Sequence, residues 1–146
     1  MEKFIVNRWM SNKDSLKDVI KKNKIKDTCD SYSMMTDVLI REVLNKPIDD
    51  NDFSQNGVFS ENYKIVDDGD YQGTQLFILH KAHYQPSVED YYVFDNSYGS
   101  CSGCDTLLSI TSYDSESFPS DYQINELMTL FLHMIQRLKC LNNLYI

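Results

Sequence analysis

The residues with most capacity for chemistry sit in one run, Tyr98-Gly99-Ser100-Cys101-Ser102-Gly103-Cys104-Asp105, which holds two of the four cysteines. A C-x-x-C spacing lets two thiolates grip one metal ion, with glycine permitting the tight turn between them. Zinc needs two further ligands. His80 and His83 would complete a Cys2His2 set with Cys101 and Cys104 if the strands carrying the two motifs were neighbours. Against this, residues at a strand end alternate between opposite faces. The same cysteines could cycle through a disulfide, yet thioredoxin-like enzymes place the motif after a strand in a βαβ unit that this chain lacks. As a nucleophile, Cys101 or Cys104 needs a base. The histidines are His80, His83 and His133, and Asp105 would orient one of them. Gly99-Ser100-Cys101-Ser102-Gly103 has cysteine where the hydrolase elbow has serine, a weak signal alone. The reading without chemistry makes the two glycines the shapers of a turn and the cysteines small packing residues.

The elements that would hold this loop follow from hydrophobic period. Ser11 to Asp14 resembles a capping box, and Leu16, Val19 and Ile20 continue it as a short amphipathic helix to about Lys22. Lys21, Lys22, Lys24 and Lys26 cluster at its C-terminal end, where cations offset the helix dipole. A second helix starts near Asp30-Ser31, buries Met34, Met35, Val38, Leu39 and Val43, and stops before Pro47. Residues 47–61 are polar and turn-rich, which predicts a loop. Tyr63 to Val66, Thr74 to His80 and Glu89 to Asp95 read as strands. Between the first two, Asp67 to Gly73 is a tight turn whose glycines offer positive φ. Thr106 to Thr111 fits a fourth strand or a short helix equally. Ser120 and Gln123 form a capping box, and Ile124, Leu127, Met128, Phe131, Met134, Ile135, Leu138 and Leu141 form one wide helical stripe. His133 lies slightly off that stripe, and the stripe would serve either a core or a homodimer interface. The expected fold class is α+β: an antiparallel three- to four-stranded meander packed by a long C-terminal helix, with two N-terminal helices, over residues 1–146 as a single domain.

Composition narrows the function classes. The chain has 146 residues, 42% hydrophobic and 25% charged, which suits one globular domain that needs no disulfide staples. No run of 18 apolar residues exists and MEKFIVNRWM carries no signal-peptide core, so the expected location is the cytosol and no membrane contact is expected. Net charge is −8, divided unevenly: residues 1–46 hold ten basic and seven acidic side chains, residues 47–146 four basic and fifteen acidic. Acidity of that order repels nucleic-acid phosphates and disfavours direct nucleic-acid binding. It fits a solvated surface, or a face matched to a basic protein such as the nucleic-acid groove of an enzyme.

Three runs carry a resemblance: Asp68-Gly69-Asp70-Tyr71-Gln72-Gly73-Thr74, Tyr84-Gln85-Pro86-Ser87, and Ser97 to Leu107 with its YGSCSGCD core. Leu127 to Leu130 and Gln136 to Lys139 add to it. Over the C-terminal half to two-thirds of its length the chain resembles a group of small, uncharacterised proteins of bacteriophages and some bacteria. The resemblance implies a setting, the cytosol of a host cell with unpaired thiols, and no activity. Two function classes follow. The first is a non-catalytic binding module without cofactor that docks on a host or phage enzyme and inhibits it. The alternative is a zinc-binding or thiol-dependent enzyme centred on Cys101, Cys104 and Asp105.

Overall fold

A computed structural model describes residues 2–49 and 58–145. The first helix, α1, spans Lys3–Lys22 and begins eight residues before the Ser11 box. The longer stripe decides this. Ile5, Trp9, Leu16 and Ile20 fall on one face at 0–7% exposure, and Arg8 and Asn12 lie on the same side. Burying that face outweighs one cap signal at Ser11, which is exposed mid-helix. The one-turn α2, Ile25–Thr28, is tied by the Ile25 and Lys26 amides to the Ser117 and Ser115 carbonyls. Lys26 also pairs with Glu116 at 3.1 Å, so part of the lysine cluster is spent on tertiary structure.

The second expected helix is present as α3, Tyr32–Leu39, with Ser31 accepting from the Met34 amide as its N-cap. Its continuation Ile40–Leu44 widens to π-helical bonding. Asn12 of α1 donates to the Val43 and Lys46 carbonyls at 3.1 and 3.0 Å, and Arg8 also donates to Lys46, which satisfies that end. Part of the expected 47–61 loop (50–57) lies outside the described residues. Phe59 belongs to the core, 2% exposed, clamped by both amide atoms of Asn45 at 2.7 and 2.8 Å.

Strands β1 (Lys64–Asp67), β2 (Gly73–His80), β3 (Tyr91–Tyr98) and β4 (Lys139–Cys140) form an antiparallel sheet in chain order. The glycines of the β1–β2 turn do not adopt positive φ. They are required by close approach instead: a Cβ on Gly69 would stand 1.9 Å from the Gln72 carbonyl oxygen. Thr106–Thr111 is a helix, α4, because Asp105 caps it through the Leu107 and Leu108 amides. The last helix, α5, spans Asp121–Arg137 with the Ser120/Gln123 capping box present. It ends four residues before the apolar stripe does. Leu138 turns extended, Cys140 pairs with Tyr92, and Leu141 opens a 3-10 turn over Leu141–Tyr145, so the end of the stripe does not continue α5. The fold is α+β with the helices on one face of the meander. Among the described residues no helix is long and apolar enough to cross a membrane.

The buried face of the sheet carries paired rings: Phe77 stacks on Phe94 at 4.9 Å, and Phe59 meets Tyr92 edge-on at 5.2 Å. Burial pushes the Tyr32 and Tyr63 phenols up to about 12, and burial with a 2.8 Å bond to Glu2 pushes Tyr92 up further. The fold therefore favours neutral phenols. Their contribution is fully present below pH 10, the ordinary phenol value, and is lost as pH rises through about 12. A urea midpoint that falls steadily over this window, with phenolate absorbance rising in step with unfolding, is the expected result. Phenolate formation at these tyrosines ahead of any loss of ellipticity would contradict it.

Candidate functional site

The cysteine loop follows β3 directly. Gly99 approaches so closely that an added Cβ would lie 2.6 Å from the Cys104 sulfur, whereas Gly103 has open space to 4.0 Å. Gly99 thus shapes the turn and Gly103 does not. Cys101 and Cys104 are joined as a disulfide, Cα to Cα 5.4 Å, and both are exposed. This corrects two expectations: the cysteines are not packing residues, and not every thiol is unpaired. The thiols that do pack are Cys29 and Cys140. Burial raises the Cys29 thiol to about 12, which makes it a poor nucleophile, and Cys140 donates to the Glu89 carbonyl at 3.4 Å.

Asp105, expected to orient a histidine, has a structural task. It is 8% exposed and accepts from the Gly99, Leu107 and Leu108 amides at 3.0, 2.9 and 3.2 Å and from the Tyr32 hydroxyl at 3.4 Å. The Cys104 sulfur is engaged within the loop: the Cys101 amide donates to it at 3.2 Å, and it sits 3.2 Å from the Cys101 carbonyl. No imidazole bonds to either sulfur among the described residues.

The structure does not bring Cys101, Cys104, His80 and His83 together. In the β2–β3 register His80 faces Tyr91, while Tyr98, where the cysteine loop begins, faces Gly73. Those positions are opposite ends of an eight-residue strand, roughly 24 Å apart at about 3.4 Å per residue. Each histidine is used locally. His80 Nδ1 lies 3.0 Å from the Lys81 carbonyl with its ring beside Tyr91, and His83 Nε2 lies 3.4 Å from Asp90. Among the described residues no group of three or more His, Cys, Asp or Glu side chains is placed to hold a metal ion.

Two features went unread in the sequence. The first is a polar cleft of about 310 Å3 beside the cysteine loop, between β3, the last turns of α5 and the start of α4. Tyr32, Asn96, Thr106, His133 and Arg137 line it. Asn96 is 3% exposed, because β3 alternation that turns Tyr92 and Phe94 inward turns Asn96 inward too. A polar residue at an inward position was the available signal. Arg137 Nη2 donates to Asn96 Oδ1 at 2.6 Å and Nε to the Asp95 carbonyl at 3.1 Å, closing the β3 edge where β4 stops.

The second is the outer face of the sheet. Register places Val66, Leu76, Ile78 and Val93 there as one apolar cluster. Val66 is 54% and Leu76 36% exposed. At its end stands the acidic turn of Asp67, Asp68 and Asp70. The Tyr98 hydroxyl donates to Asp67 at 2.6 Å, which with the Gly69 amide holds that carboxyl below its usual range and so ionised. Comparison of the chain with protein-family models, curated proteins and solved structures finds no match.

Proposed function

We propose that this chain is a non-catalytic protein-binding module that docks on a basic partner, an enzyme of nucleic-acid processing being the class that fits best, and inhibits it in a phage-type cytosolic setting. The carrying observation is the outer face of the sheet: Val66 and Leu76 are exposed and Ile78 and Val93 half-buried beside them, with Asp95 opposite Leu76, Lys64 and Lys139 opposite Ile78 and Val93, and Asp67, Asp68 and Asp70 at the turn end. Exposed apolar patches rimmed by polar groups are characteristic of protein contacts. The uneven charge argues for a basic occupant, since residues 47–146 carry fifteen acidic side chains against four basic ones. The cysteine loop supports the alternative, a thiol-dependent activity, less well, because Cys101 and Cys104 are joined to each other and no base bonds to either sulfur among the described residues.

Leu76→Glu places a charge in the centre of the face without touching the core. The expected result is a loss of affinity of at least tenfold, about 1.4 kcal/mol or more, with stability changed by no more than about 0.5 kcal/mol. The measurement is capture from bacterial lysate by wild type, Leu76→Glu and the Cys101→Ser/Cys104→Ser double variant, washed at low and high salt. A basic protein retained stoichiometrically by wild type and the double serine variant, released by salt and lost with Leu76→Glu, supports the reading. Retention indifferent to Leu76→Glu and to salt sinks it. Loss with the serine variant alone moves the interface to the cysteine loop.

A further inference from the structure

We infer that Cys101 and Cys104 form a reversible dithiol–disulfide couple that exchanges with low-molecular-weight thiols, Cys101 being the sulfur attacked and Cys104 the sulfur released. The inference goes beyond the docking reading and does not depend on it, because the chemistry lies in the loop after β3 and not on the outer face of the sheet.

The starting observation is a disulfide placed where a structural one contributes little. It joins residues three apart, and the freedom that a cross-link removes from the unfolded chain shrinks with the loop it closes. Both cysteines are exposed, while the thiols that pack are Cys29 and Cys140. The loop is also held without the sulfurs. The Cys104 amide donates to the Cys101 carbonyl at 3.1 Å. The Asp105 carboxylate takes the Gly99 amide on one side and the Leu107 and Leu108 amides on the other. Opening the bond therefore leaves the turn standing, with two thiols side by side and placed to close again.

The two sulfurs are not equivalent. Gly99 lies so close to Cys104 that an added Cβ would be 2.6 Å from its sulfur, and the Cys101 amide donates to that same sulfur at 3.2 Å. The Cys101 sulfur is looser, with the nearest glycine position, a Cβ on Gly103, 4.0 Å away. An incoming thiolate thus has the freer approach at Cys101, and an N–H donor already faces Cys104 to hold the charge that leaves on it. No base is needed from the protein, because the nucleophile arrives ionised.

The exchange balances as follows. A thiolate RS− attacks Cys101 Sγ, the bond between the two sulfurs breaks, and its electron pair leaves on Cys104. A second RS− attacks the sulfur of the RS group now on Cys101, which gives RS–SR and frees the Cys101 thiolate. Two small thiols become one small disulfide, the protein pair gains two electrons, and the two protons lost by the thiols pass through water to Cys101 and Cys104. With RS–SR as oxidant the sequence reverses: Cys101 takes one RS group and Cys104 displaces it.

The test equilibrates the full chain with reduced and oxidised glutathione at varied ratio, traps free thiols by alkylation and reads each cysteine by fragment mass spectrometry beside circular dichroism. Cys101 and Cys104 are expected to open and close together along one curve approached from either direction, with ellipticity unchanged and Cys29 and Cys140 unmodified. With oxidised glutathione, Cys104→Ser is expected to form its mixed disulfide at least about tenfold faster than Cys101→Ser, and no mixed disulfide builds up in the wild type. A pair that opens only as ellipticity is lost is a structural staple and overturns the couple, as does a pair that never closes at any ratio. Equal rates in the two serine variants, or a faster reaction at Cys104, overturn the role given to Cys101. Leu76→Glu is expected to exchange as the wild type does, so this inference and the docking reading fail separately.

Discussion

Phe77→Ala is expected to lower stability by about 3–5 kcal/mol, lowering the melting temperature by on the order of 10 °C for a domain of this size. Phe77 is 0% exposed on β2, flanked in register by Ile65 and Phe94. Its ring stacks on Phe94 at 4.9 Å with 8° between planes and meets Tyr63 at 5.9 Å. Alanine removes the shared wall of both contacts, and the flanking strands cannot close the gap without breaking two ladders of hydrogen bonds. Domains carry only about 5–15 kcal/mol in total, so this one change spends a large share. Phe77→Leu, which refills most of the volume, is expected to cost about 1–2 kcal/mol. Thermal and urea unfolding followed by circular dichroism read both. A loss below about 1 kcal/mol for Phe77→Ala would mean that α5 rather than the stacked rings carries the core.

Asp105→Ala is the second large effect, about 3 kcal/mol. The carboxylate collects three backbone amides and one phenol, so alanine leaves four donors without it, in a residue environment 8% exposed. Asp105→Asn keeps one acceptor oxygen for the α4 amides but turns an NH2 toward the Gly99 amide, and about half the loss is expected. Proteolysis of the 99–104 loop separates this from a chemical role. Cleavage should accelerate in both variants in proportion to stability. Unchanged stability in Asp105→Ala, with only the rate of reduction of the Cys101–Cys104 disulfide altered, would return Asp105 to the chemistry of the cysteines.

How much of this was legible is best judged element by element. α5 was readable because cap and stripe agree: Ser120 and Gln123 fix its start and the apolar spacing its face. Its end was not, since Leu138 and Leu141 keep helical spacing although the backbone turns extended at Leu138, pairs as a strand over Lys139–Cys140 and re-enters a 3-10 turn at Leu141. The start of α1 is not legible from the Ser11 cap, which falls inside the helix, because Ile5 and Trp9 gain their burial only where α1 packs on the π-helical turn and α5. The cysteine run was found and its exposure was not, because C-x-x-C spacing says nothing of what surrounds it. The cleft was invisible as a unit. Tyr32, Asn96 and Arg137 come from three elements far apart in sequence, and only their packing gives them a common space.

The Tyr92 hydroxyl donates to Glu2, ninety positions away, and the Tyr92 backbone is paired with Cys140. The middle strand is thus the meeting place for the outermost described elements of the chain, and neither contact can form by local collapse. Closing loops of that span is the slow step for chains with distant contacts. On a ribosome, β3 emerges with one rim open and stays so until residue 140 follows. For that interval a Tyr-rich rim is bare to any other nascent strand. A two-residue strand is therefore the latch of the whole assembly, and the time taken to reach it sets how long the protein is vulnerable while it is made.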